Sequence, residues 1–240
     1  MKLEHEHTYE AIAERLAQPR ANYLRDWLYG GLDGAVTTLA VVAGAVGGDV
    51  PHTVLLLLGC ANLLADGFSM AAGNYLGTKS ERDDYERLRA RERRHIELHP
   101  EGEREEVRQI FQAKGFSGAE LEHAVSVITG DQEQWVNLML TEEYGLARAQ
   151  RSPVRSGAST FAAFVLCGLV PLLPYFRDFG HPLVLAVGTT ALMFFGIGAG
   201  KSRWSEQSWW RSALETLAIG LGAAVIAFWV GRDLRHWLGR

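Results

Sequence analysis

Residues 53–77 read "TVLLLLGCANLLADGFSMAAGNYLG", and the fold follows from how this stretch is read. It is apolar over more than the roughly 20 residues that a helix needs to cross a bilayer at 1.5 Å per residue. Yet it carries Asn62, Asp66 and Met70 at i, i+4 and i+8, a spacing that sets all three on one face of a helix. An aspartate in a spanning helix costs on the order of 3 kcal/mol on insertion scales, so it needs a partner or a function. Two readings stay open. The row is a hydrogen-bonded contact between helices, or it lines a cation path in which carboxylate, amide oxygen and thioether replace a hydration shell. A thioether offers little to Mg2+ or Ca2+, so the second reading points to a transition metal.

Working outward, the 240-residue chain holds four more runs of this kind, at about 27–47, 158–176, 183–200 and 209–231. Asp33, Asp66 and Glu215 are the acidic residues within them. "PLLPY" near the end of the third span predicts a kink or stop, because proline cannot donate to the preceding turn. Arg15, Arg20 and Arg25 precede the first span, an arginine-rich block follows the second, and Lys201, Arg203 and Arg211 follow the fourth. The positive-inside rule then puts the N-terminus, the 79–155 block and the 201–211 loop in the cytoplasm. The C-terminal "RDLRHWLGR" is a mild violation. Gly30, Gly31, Gly34, Gly44, Gly47, Gly220 and Gly222 predict close helix packing, within one chain or across a dimer.

Several classes fall away. A net charge of −4 with no basic patch excludes a nucleic-acid surface. The two cysteines, Cys60 and Cys167, lie inside apolar runs without metal spacing and read as inert thiols. The charged, amphipathic N-terminus has no apolar core of a secretory signal, and its "EHEH" reads as a solvated helix end. "GIGAGKS" at 196–202 has Phe195 where a phosphate-binding loop needs glycine, and it follows a span rather than a strand.

The charged block reads as a small antiparallel helical bundle. Residues 82–98 continue the second span without a breaker. Pro100 starts a second helix that stops at Gly115. Ser117 and Glu120 form a capping-box pattern for a third, which ends at Gly130. Asp131 caps a fourth, running to about Gln150. Glu92 and His95 have the Glu-x-x-His spacing of ferritin-like di-iron bundles, Glu103 and Glu106 are again i, i+3, and Met139 lies four before Glu143 with Glu142 beside it. Each pair alone suits a solvated face, but three pairs on three helices of one bundle point to metal capture. The expected architecture is an all-α integral membrane protein of five spans with a cytoplasmic bundle inserted between the second and third. The divisions are an amphipathic N-terminus at 1–23, spans at 24–78, a metal-binding domain at 79–155 and spans at 156–240.

The segments "RDWLYGGLDGAVTTLAVVAGAVGG", "GFSMAAGNYLGTKSERDDYER", "WVNLMLTEEYGL" and "GLVPLLPY" resemble, in the same order, motifs of the vacuolar iron transporter family. The likeness covers essentially everything after residue 20. It implies a five-span homodimer that moves Fe2+ out of the cytosol in exchange for protons, along a path at the dimer interface between first and second helices. Carried over by position, it assigns Asp33 and Met70 to the path and Glu92, Glu103, Glu106, Met139 and Glu143 to the cytoplasmic site. Three positions depart from the pattern. Asn62 stands where the family has a glutamate, with Asp66 one turn further on; His95 replaces a glutamate; and Leu140 replaces one of two methionines. The expected protein is thus a transporter with no resident cofactor, with Fe2+ as cargo and Mn2+, Zn2+ or Co2+ as other candidates. Its partners are the bilayer, a second copy, metal ions and protons. The Arg- and Ala-rich composition points to a bacterial inner membrane, with a vacuolar membrane as the alternative. The competing reading is an enzyme, a membrane-anchored ferritin-like iron oxidase or storage module, with "ELEH" at 120–123 as its second motif; a third is a metal sensor.

Overall fold

The structure, a computed structural model, describes residues 8–17, 22–146, 151–177, 180–202 and 206–239. The "EHEH" block, Arg20, Arg203 and the stretch 147–150 lie outside these segments. Every regular element among the described residues is helical: α1 (Tyr9–Ala17), α2 (Leu24–Gly47), α3 (His52–Leu98), α4 (Pro100–Ala113), α5 (Gly118–Thr129), α6 (Gln132–Glu142), α7 (Pro153–Leu169) with a 3-10 extension (Val170–Tyr175), α8 (Pro182–Lys201) and α9 (Trp209–Leu238). Five helical segments are long and apolar enough to cross a membrane: α2, α3, α7 with its extension, α8 and α9. The chain is a multi-pass membrane protein. It divides into two compact units, one of Asn22–Gly77 with Pro153–Arg240, the other of Met1–Ala21 with Thr78–Ser152.

In the first unit small residues let backbones touch. A Cβ on Gly34 of α2 would lie 2.3 Å from the Phe164 carbonyl oxygen of α7, and one on Gly47 would lie 2.2 Å from the Phe228 carbonyl oxygen of α9. Only a bare α-carbon fits at such crossings. Gly30, Gly31, Gly44 and Gly220 also face neighbours within the chain, whereas Gly222 faces open space. The glycine pattern is therefore largely used up in packing one chain. Around these crossings Leu39, Val42, Phe164, Leu172 and Phe194 are fully buried.

α2 ends where Asp49 takes a positive φ of 57° and Pro51 follows. Past that turn α3 begins, and it runs for 47 residues from apolar to charged sequence without interruption. On its apolar part Gly67 lies against Phe161 and Phe164 of α7, and Asn74 donates to the Thr160 hydroxyl at 2.7 Å. The tilt to 3-10 geometry at Val170–Tyr175 meets the expectation from "PLLPY", since Pro174 sits inside it. α9 runs to Leu238, seven residues beyond the expected span, and Arg235 there pairs with Asp49 at 2.7 Å.

The second unit packs α3 from Tyr85 onward with α4, α5 and α6 around Val107, Val125, Val136, Met139 and Leu140. Arg108 of α4 binds Glu122 of α5 at 2.9 Å, and Arg89 and Arg93 of α3 converge on Glu133 of α6. Two expectations fail here. Ser117 is the residue before α5, but its side chain makes no capping bond. The next residue, Gly118, has φ of 56°, which turns the hydroxyl away from the amides that a capping box serves. α6 stops at Glu142 rather than near Gln150, because Gly145 adopts φ of 65° and the Leu146 amide returns to the Leu140 carbonyl at 2.9 Å. That bond closes a seven-residue turn through a left-handed glycine, which takes the chain out of the helix. Asp131, by contrast, caps α6 as expected, accepting from the Glu133 and Gln134 amides.

Candidate metal centre

The second unit holds the site. Pro100 has no amide hydrogen and bars its predecessor from helical geometry, so α3 ends at Leu98 and His99 turns with φ of −138°. This one-residue corner folds the first turn of α4 back on the last turns of α3. As a result Glu92 and His95 of α3 and Glu103 of α4 offer ligand atoms that all lie within 4.8 Å of one another, the one such group among the described residues. His95 Nδ1 is 3.3 Å from Glu103 Oε1.

Both carboxylates are buried, Glu92 to 1% exposure and Glu103 to 6%. Each also has one buried oxygen, Oε2, without a hydrogen-bond partner among the described residues. A buried carboxylate oxygen left unpaired is costly, and two of them in one cluster, beside an imidazole, form a donor set for a divalent cation. The charge balance agrees. Burial, then the neighbouring Glu106, Glu92 and Glu143 carboxylates, push the Glu103 carboxyl up to about 7, with His95 offsetting part of the repulsion. Glu106 is raised in the same direction, by burial and then by Glu143 and Glu92. His95 thus offsets only part of the repulsion felt by Glu103 and Glu106, while Arg91 Nε lies 3.8 Å from Glu92 Oε1.

Tyr144 and Arg91 complete the cluster, and sequence reasoning missed both. The Tyr144 hydroxyl donates to Glu92 Oε1 at 2.9 Å, and Arg91 lies over the Tyr144 ring at 5.1 Å. Burial and the adjacent Glu143 and Glu92 carboxylates hold the phenol well above its usual value, so it stays a donor. The turn at Gly145, with its φ of 65°, is what sets Tyr144 at this point, and Gly145 was the available signal.

The remaining expected ligands are placed as follows. Glu106 and Glu143 keep much of their surface in solvent at the rim of the cluster, where Glu106 is partly desolvated and both carboxylates act on Glu103. Met139 is fully buried in the apolar core of the bundle. Glu142 turns to Lys114, which it meets at 2.8 Å. Glu120 and His123, the second motif an oxidase would use, are exposed on α5 and join no such group.

In the first unit Asn62 donates through Nδ2 to Asp66 Oδ2 at 2.8 Å. Asp66 is exposed, as is Asp33 on α2, and the two carboxylates are close enough to interact. Met70 packs partly buried against the cluster of Leu63 and Phe164. The row continues one step beyond Met70 to Asn74, which the structure uses to fasten α3 to α7.

The chain is similar in sequence to known proteins. The profile described as the VIT family matches residues 24–232. A vacuolar iron transporter of Toxoplasma gondii is 32% identical over 91% of this chain and 76% of its own length. Vacuolar iron transporter 1 of Arabidopsis thaliana is 32% identical over 89% of this chain and 86% of its own length, and the vacuolar iron transporter of Plasmodium falciparum is 26% identical over 89% and 82%. These relatives are named as transporters, and nothing among them supports the oxidase reading. A profile match across nearly all the spans, with relatives of this similarity along most of both chains, establishes that the chain belongs to the VIT family.

Proposed function

We propose that the protein is a metal transporter that takes Fe2+ from the cytosol across its membrane in exchange for protons. The observation that carries this reading is the pair of buried, unpartnered carboxylate oxygens of Glu92 and Glu103 beside His95. The second unit is cytoplasmic in this reading and collects the ion, with Glu106 and Glu143 adding negative charge around it. Carboxylate and imidazole donors suit Fe2+ and admit Mn2+, Zn2+ or Co2+.

The path runs along Asp33, Asn62, Asp66 and Met70. Asn62 donates through its amide nitrogen and so keeps an amide oxygen for a cation. Asp33 and Asp66 can hold either metal or protons, which gives exchange a physical basis. Both are exposed on the surface of a single chain, where lipid contact would cost each about 3 kcal/mol. A second copy facing this surface would cover them, so the transporting form is a homodimer. The relatives are named vacuolar, which favours a vacuolar membrane over the bacterial inner membrane suggested by composition.

The test is Fe2+ uptake into sealed proteoliposomes carrying an internal pH dye. Metal entry with opposite proton movement is expected. Absence of metal movement under every imposed gradient would overturn the transport reading. Within the capture site, Tyr144→Phe removes the bond that fixes Glu92. Such supporting contacts are worth roughly 10-fold or more in metal affinity. The variant is expected to bind Fe2+ about 10-fold more weakly by anaerobic calorimetry, at unchanged helix content. Equal affinity would remove Tyr144 from the site.

A further inference from the structure

A cavity of about 410 Å3 opens in the first unit between the start of α2 and the end of α8. Its walls are Leu28 and Leu32 of α2 and Ile197 of α8, and its mouth carries Arg25, Lys201 and Tyr29. No carboxylate lines it among the described residues. Neither Arg25 nor Lys201 forms an ion pair with any described residue. Both cations are exposed, and Tyr29 is 61% exposed. The mouth lies at the end of the unit where α2 begins and α8 ends, so Arg25 and Lys201 share one membrane interface.

We propose that this cavity is a binding site for an acidic phospholipid, whose headgroup phosphate sits between Arg25 and Lys201 and whose acyl chain lies along Leu28, Leu32 and Ile197. The division of the lining selects the ligand class. Two unpaired cations at an interface call for an anion, and basic pockets between spanning helices take anionic headgroups. The apolar walls behind them would gain nothing from a free phosphate, but they bury methylenes at about 0.8 kcal/mol each. Tyr29 has the amphipathic character that favours the headgroup level. The Leu and Ile stems keep the chain region dry, so the two halves of the site match the two halves of a lipid.

This inference stands apart from the metal reading, because lipid retention is measured without metal. The full chain, purified in a neutral detergent, is titrated with phosphatidylglycerol, phosphatidylcholine or inorganic phosphate, and bound lipid per chain is counted by native mass spectrometry. One tightly held phosphatidylglycerol per chain is expected, with phosphatidylcholine weaker. Each basic residue near a membrane surface is worth about a factor of 5 in attraction to an anionic lipid. Arg25→Ala with Lys201→Ala is therefore expected to weaken retention about 30-fold, while Arg25→Lys with Lys201→Arg retains it. Should the alanine pair fail to fold, Ile197→Trp fills the groove without touching either charge and is expected to expel the lipid. Equal retention of both lipids by all variants overturns the proposal. So does inorganic phosphate competing at millimolar concentration, which would mark a free-anion site, and so does an Ile197→Trp chain that changes oligomeric state while keeping its lipid, which would mark a protein interface.

Discussion

Asp33→Ala is expected to reduce Fe2+ uptake into proteoliposomes at least about 100-fold, the effect of losing roughly 3 kcal/mol of stabilisation for the passing ion. Asp33 lies on α2, exposed on the same unit as Asp66 and close enough to interact with it. A metal ion leaving water at this depth needs anionic oxygens to replace its hydration shell, and this unit offers few. The variant should still fold, because removing a carboxylate from a spanning helix relieves a cost rather than adding one. Asp33→Asn sharpens the result. It keeps size and polarity but carries neither charge nor exchangeable proton, so it should fail as the alanine variant does. Uptake at the normal rate in both, with normal proton movement, would remove Asp33 from the path. Metal uptake without proton movement in the asparagine variant would assign Asp33 to proton exchange alone.

How far the sequence could be read depended on the length scale of each signal. The spans were legible because 20 or so apolar residues admit few alternatives, and α2, α3, α7, α8 and α9 all coincide with them. The one-residue corner between α3 and α4 was legible in Pro100, since that residue alone excludes helix before it. Failures came where one backbone angle decided the outcome. Gly118 and Gly145 both take positive φ, and these angles undo the Ser117 cap and shorten α6. A glycine only permits such an angle, and its surroundings choose whether it is used. The site followed the same division. Glu92, His95 and Glu103 could be suspected from spacing, but the spacing of Glu142 looked equally good, and Lys114 claims it. Tyr144 could not be found by periodicity, because it lies past the helix and reaches Glu92 from 52 residues away in sequence. The spacing of Asn62, Asp66 and Met70 sets them on one face, yet Met70 and Asn74 turn toward α7 while Asp66 is exposed. One helical face four turns long spans two environments.

Glu92→Gln with Glu103→Gln is expected to weaken Fe2+ binding to the detergent-solubilised full chain by about 100-fold or more, since second-sphere losses alone reach 10- to 100-fold. The carboxamides preserve shape and remove the charges that Oε2 of each residue presents. The pH dependence tests the same cluster from the other side. With Glu103 at about 7, metal must displace a proton below neutrality, so affinity should fall about 10-fold per pH unit below pH 7 and flatten above it. The metal-free protein should show the opposite stability trend. A carboxyl whose folded value lies above its ordinary 4.5 binds more protons folded than unfolded, so stability is lost as pH rises from about 4.5 to about 7. The loss is on the order of 3 kcal/mol. Added Fe2+ reverses it by supplying the missing positive charge. Glu103→Gln removes both slopes at once, and its difference from the parent chain isolates this group from every other carboxylate. If the metal-free parent gains stability relative to Glu103→Gln over that pH range, Glu103 already has a compensating cation within the protein, and the capture site must be sought elsewhere.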